Sequence, residues 1–108
     1  MRFYLYPYPT DMRKSFDGLS GIILSKMQKI PRDGSVYIFL NKNRNKIKLL
    51  HWEFGGFVLY YKRLEQGTIE SISPYELKPY LSIKWSELVL LIEGISMKDL
   101  TKRKRFSV

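Results

Sequence analysis

With 108 residues the chain has room for one domain, and its 44% apolar and 15% aromatic content is enough to fill a core. Nineteen Lys and Arg against ten Asp and Glu give a formal charge of +9, above the roughly 2 to 8 usual in a small soluble domain, which favours a polyanionic partner. No apolar run approaches the ~20 residues of a membrane span, and the opening residues 1–7 are too short and too aromatic for a signal peptide. Cysteine is absent, which excludes disulfides and thiolate zinc sites, so a cytoplasmic protein without a membrane partner is expected.

Residues 3–6 read as a short strand. Pro7 and Pro9 then hold off a helix of about residues 11–29, capped by Thr10 or Asp11 and carrying Met12, Phe16, Leu19, Ile23 and Met27 on one face. Gly18 and Gly21 weaken that helix, which predicts close packing on a sheet. Pro31-Arg32-Asp33-Gly34 is a turn, and residues 35–40 a buried strand. The polar run Asn41-Lys42-Asn43-Arg44-Asn45-Lys46 makes a hairpin with a basic tip, its asparagines tolerating left-handed backbone. Residues 47–52 return, Glu53-Phe54-Gly55-Gly56 turns again, and residues 57–64 complete a meander. Residues 68–73 add a fourth strand, and residues 74–81 form an irregular link. A second helix opens at Ser82 or Ile83 and runs through Glu93, with Trp85, Leu88, Leu91 and Ile92 as its core face and Gly94 as C-cap. The reading is a single α+β domain over residues 1–97, a small antiparallel sheet with two helices on one face, followed by a basic flexible tail over 98–108.

The chemistry-bearing residues are mostly cations. Arg13 and Lys14 sit where a helix dipole disfavours them, so either Arg13 pairs with Asp17 one turn on, or the two cations and free N–H groups form an anion site. Lys42, Arg44 and Lys46 on the hairpin tip, Lys62 and Arg63 at a strand end, and Lys102, Arg103, Lys104 and Arg105 in the tail extend the constellation. Six such contacts to duplex DNA would give a log–log salt slope of roughly −5. Alternation along the strands places aromatics beside lysines, a mixture that suits base stacking and equally a protein partner, for which Trp52 and Tyr60 are the candidates. Metal-dependent nuclease chemistry needs gathered carboxylates. Asp11, Asp17 and Glu53 are better explained as cap, ion pair and turn residue, and His51 stands without a second histidine, so neither catalysis, a metal nor a cofactor is expected.

Two blocks carry a resemblance: Tyr8-Pro9-Thr10-Asp11-Met12-Arg13-Lys14-Ser15-Phe16-Asp17-Gly18-Leu19, and Lys48-Leu49-Leu50-His51-Trp52-Glu53 with Gly56-Phe57-Val58-Leu59-Tyr60-Tyr61-Lys62-Arg63-Leu64-Glu65-Gln66-Gly67. Together they resemble the TnpB accessory-protein family encoded by the second small reading frame of insertion sequences of the IS-sixty-six type. The resemblance runs from about Tyr4 to Gly94, and the link over residues 71–81 departs from it. It implies an accessory role in transposition beside a separate transposase that carries the cutting chemistry. The expected partners are DNA at the element ends, the transposase and other accessory proteins of the element. The expected activity is backbone-phosphate binding without catalysis; the alternative is a module that docks on the transposase with no direct specific DNA contact.

Overall fold

Val36-Tyr37-Ile38-Phe39-Leu40 is apolar, β-branched and aromatic throughout, and such a strand has no face to offer to water. In the computed structural model, which describes residues 1–69 and 78–93, all five side chains are buried. In chain order the elements are β1 (Phe3–Leu5), α1 (Phe16–Ser25), β2 (Val36–Leu40), β3 (Lys46–Glu53), β4 (Gly56–Arg63), β5 (Leu81–Ile83) and α2 (Trp85–Glu93). The strands lie in the order β4-β3-β2-β1-β5, so β2 is central and the class is α+β, as expected.

Strands β2, β3 and β4 form the expected antiparallel meander. The sheet as a whole is mixed, not wholly antiparallel, because β1 runs parallel to β2 while β5 pairs antiparallel on the other side of β1. Parallel neighbours need a crossover, and α1 with its flanking turns supplies it. Leu81, Ser82 and Ile83, expected as the end of a link and the start of a helix, alternate apolar-polar-apolar and pair with Leu5, Tyr4 and Phe3. Of the expected strand at residues 68–73, Thr68 and Ile69 lie outside any strand. The remainder falls outside the described residues, as do Gly94 and the tail.

The register sets the layers. Tyr4, Tyr37 and Leu50 share one row and pack with Phe39 against Leu19 and Ile23 of α1 and against Met27 just beyond it. Leu5, Ile38, Val36, Leu40 and Ile47 turn the other way, against Leu88 and Leu91 of α2. The helices therefore cover opposite faces rather than the one face expected. A central strand apolar on both faces requires cover on both.

Helix α1 begins at Phe16, five residues later than expected. The carbonyls of Met12 and Lys14, which a helix would turn towards its own N–H groups, instead accept hydrogen bonds from Lys48 Nζ. Asp11 caps a turn, its Oδ1 accepting the Arg13 N–H at 2.9 Å, and the Asp11 carbonyl accepts the Lys14 N–H at 3.1 Å. The helix ends at Ser25, and Gln28 takes φ +58°, which closes the helical path before residue 29. Neither helical glycine faces a close-packed sheet. A Cβ at Gly18 would come within 3.1 Å of the Lys14 side chain, and one at Gly21 would meet nothing within 4 Å.

The β3–β4 hairpin turns on Phe54 (φ +49°) and Gly55 (φ +82°), both left-handed, as a tight two-residue turn requires. Phe54 is fully exposed, so it takes the cost of a left-handed backbone without packing in return. Phe54→Asn is expected to stabilise the fold by about 1 kcal/mol, since Asn-Gly is the favoured pair in such turns. Urea unfolding of the two proteins measures it, and an unchanged midpoint would show that the turn is unstrained.

Candidate nucleic-acid interface

The hairpin tip between β2 and β3 is braced by its own side chains. Asn41 Oδ1 accepts the N–H groups of Asn45 and Lys46, each at 3.0 Å, while Asn41 Nδ2 donates to Asn45 Oδ1 at 2.7 Å. Arg44 takes the left-handed conformation (φ +55°) that the sequence assigned to the asparagines, which instead serve as side-chain braces. From below, the carbonyls of Asn45 and Arg44 accept the N–H groups of Leu64 and Ile69, both at 2.7 Å.

Beside this tip runs the turn over residues 11–14. It is anchored to the end of the central strand by the Thr10 N–H, which donates to the Leu40 carbonyl at 2.8 Å. Arg13 folds back on Asp11 through Nε and Nη2, the latter 2.7 Å from Oδ2, and does not pair with Asp17. The Arg13 side-chain hydrogen bonds, followed by its backbone N–H, hold the Asp11 carboxyl at about 2. The pair remains ionic at neutral pH, yet the Arg13 side chain is 91% exposed and such pairs are weak, so the guanidinium is available to a phosphate.

Lys48 fixes the turn to the sheet. It is 5% exposed, its Nζ donates to the Met12 carbonyl at 2.6 Å and the Lys14 carbonyl at 2.7 Å, and it lies 4.6 Å from the ring centre of its cross-strand neighbour Tyr61. Burial pushes the ammonium's pKa down, opposed by the Asp11 carboxylate. The result is a cleft of about 390 Å³ between turn and hairpin, lined by Thr10, Arg13, Lys42, Lys46 and Tyr61 among others. A second cleft of about 360 Å³ continues past Tyr61 between Lys46, Arg63 and Glu65. Among the described residues no ion pair engages Lys42 or Lys46.

Four of the cations singled out in the sequence, Arg13, Lys42, Lys46 and Arg63, thus border one continuous surface, although Arg63 also pairs with Glu65 at 2.8 Å. Arg44 lines the opposite flank of the hairpin with Tyr6, Pro7 and Tyr8. Lys14 is exposed and contributes its carbonyl to Lys48. Lys62 points to the α2 face, where its Nζ donates to the Ile92 carbonyl in the last turn of α2 at 2.7 Å. A cation there complements the helix dipole, so Lys62→Met is expected to cost about 1 kcal/mol in urea unfolding. The same substitution should leave the salt slope of DNA binding unaltered, and a shallower slope would return Lys62 to the interface. Lys102, Arg103, Lys104 and Arg105 lie outside the described residues.

The two aromatic candidates do not share a surface. Trp52 lies on the α1 side, edge-on to Phe57 with its ring under the Arg32 guanidinium at 4.7 Å. Tyr60, paired with Leu49, faces the α2 side. Among the acidic candidates, Asp11 belongs to the turn, Asp17 to the first turn of α1, and Glu53 lies 3.4 Å from His51 Nε2. His51 Nδ1 is 3.3 Å from the Ser35 carbonyl. Among the described residues no three His, Cys, Asp or Glu side chains gather as a metal site. Sequence reasoning did not single out Lys48 or Tyr61. The available signal was Lys48 on the same strand face as Leu50, a charge on an apolar face that needs partners.

Fold and cleft together define a small α+β domain with a basic, aromatic-floored cleft at one end of the sheet. The chain belongs to the family described as IS66 Orf2 like protein, which it matches over residues 1–102. Membership places it with the accessory proteins of insertion-sequence transposition, as the two sequence blocks implied. It is similar to "Uncharacterized protein y4jC" of Sinorhizobium fredii (strain NBRC 101917 / NGR234), with 28% identity over 105 residues, covering 97% of this chain and 86% of the relative. No solved structure is a significant match. Among the described residues no helix is long and apolar enough to cross a membrane.

Proposed function

We propose that this protein is a non-catalytic, cytoplasmic accessory factor of transposition that binds DNA at the element ends through backbone phosphates and assists a separate transposase. The observation that carries the reading is the convergence of Arg13, Lys42 and Lys46 on one cleft, with Arg63 continuing its line. Arg13 comes together there with two lysines from a distant stretch of the chain, both free of ion pairs among the described residues, an arrangement that suits a phosphate chain. The acidic candidates are spread over a turn, a helix and a strand end, which supports leaving the cutting chemistry to the transposase. Fluorescence anisotropy with labelled element-end duplex and a shuffled duplex tests the reading. Binding to both supports a backbone clamp, tighter binding to the end supports end recognition, and binding to neither overturns direct contact with duplex DNA.

A second reading is favoured by the opposite end of β3 and β4. Phe54 is fully exposed there in a left-handed conformation, and Trp52, Phe57 and Arg32 stand beside the same hairpin. An exposed phenylalanine beside part-buried aromatics and an arginine suits a protein interface, and the transposase or another accessory protein of the element is the partner such an end would meet. Co-purification with the transposase that survives nuclease and high salt supports this reading, and its loss under either treatment counts against it.

A further inference from the structure

Tyr61 lines both clefts, and a backbone clamp alone gives it no task. Its ring is half exposed, with Lys48 Nζ 4.6 Å from the ring centre. The ammonium, held by the Met12 and Lys14 carbonyls, lies over one face of the ring, and the half-exposed ring leaves its opposite, outer face to a ligand. A cation beneath an aromatic ring draws π density towards itself, and the outer face then suits the electron-rich surface of a nucleobase. Arg13 and Lys42 line the cleft on one side of Tyr61 and Arg63 the cleft on the other, with Lys46 common to both.

We infer that this cleft takes an unpaired DNA strand, one base stacked on the outer face of Tyr61 with the phosphates to either side held by Lys46, Arg63, Arg13 and Lys42. The inference rests on the DNA-binding reading above and specifies the form of DNA. In a duplex the base faces are covered by their neighbours and only edges reach the grooves, so a ring lying on a strand between cations has nothing to stack on. In an unpaired strand each base offers a π face while its phosphates remain within reach of the flanking cations, the arrangement by which sheet surfaces hold single strands.

The test is anisotropy binding of the full chain to one fluorescein-labelled strand of an element end and to the duplex made from it, at one salt concentration, with Tyr61→Ala and Tyr61→Phe beside the native protein. The native protein is expected to bind the single strand more tightly. Tyr61→Ala should lose about tenfold or more on the single strand, within the range of one stacked base, and change little on the duplex. Tyr61→Phe should keep single-strand affinity, since the face and not the hydroxyl carries the contact, and circular dichroism of each variant checks the fold. Equal affinity for the two forms, or a Tyr61→Ala loss that is the same on both, overturns the inference while leaving phosphate binding in place. Absence of binding to either form overturns both readings.

Discussion

Arg13→Ala combined with Lys46→Ala is expected to weaken duplex binding by about 60-fold at 0.1 M salt and to make the log–log salt slope shallower by about 2. Each phosphate contact contributes about −0.9 to that slope, which at 0.1 M salt corresponds to about eightfold in affinity per contact. The two residues are chosen because they approach one cleft from different elements, Arg13 from the turn after Thr10 and Lys46 from the start of β3. Arg13 is exposed and its bond to Asp11 is an exposed ion pair, so the fold should tolerate the change within about 0.5 kcal/mol. Anisotropy titrations at several salt concentrations measure both quantities. An unchanged slope would remove this cleft from the interface.

Lys48→Ala acts on the same surface from beneath. It deletes two charge-assisted hydrogen bonds to the Met12 and Lys14 carbonyls and the packing of the lysine stem, which together are worth several kcal/mol. The burial that lowers the ammonium's pKa offsets part of this, so a net loss of about 2 kcal/mol is expected in urea unfolding. Lys48→Met keeps the stem and should recover about half of the stability. It should not restore DNA affinity, because the carbonyls that hold the turn, and with it Arg13, remain unclaimed. Native affinity in Lys48→Met would mean that the turn is held by its own Asp11 cap, with the buried ammonium playing no positioning part.

Local patterns were readable where local physics decides. The run over residues 36–40 is a strand because nothing in it tolerates water, and residues 85–93 form a helix on their leucine spacing. The two hairpins follow from Asn-rich and Gly-Gly punctuation. The larger misreadings of topology involve contacts distant in sequence. The helix start near residue 11 was set back to Phe16 by a lysine 36 residues away from Met12, and no capping rule contains that information. The partner of β1 is β2 through a crossover, and β5 is a strand only because the free edge of β1 accepts it. The placing of the helices on opposite faces was implicit in the all-apolar β2, which cannot leave one side open. Of the cations singled out in the sequence, Arg13, by its place at the chain's first turn, and Lys42, Lys46 and Arg63, by charge, border the proposed interface, whereas the position of Lys62 required knowledge of the α2 carbonyl it meets. Tyr61 enters the proposed interface through register, by lying directly across from Lys48.

The salt dependence of binding to element-end duplex by the native chain tests the central claim most directly. Phosphate contact by Arg13, Lys42, Lys46 and Arg63 predicts a log–log slope of about −3.6 or steeper, at about −0.9 for each contact. A slope near zero, or no measurable binding near physiological salt, would contradict a phosphate-binding cleft and leave the Phe54 end of the sheet as the working surface.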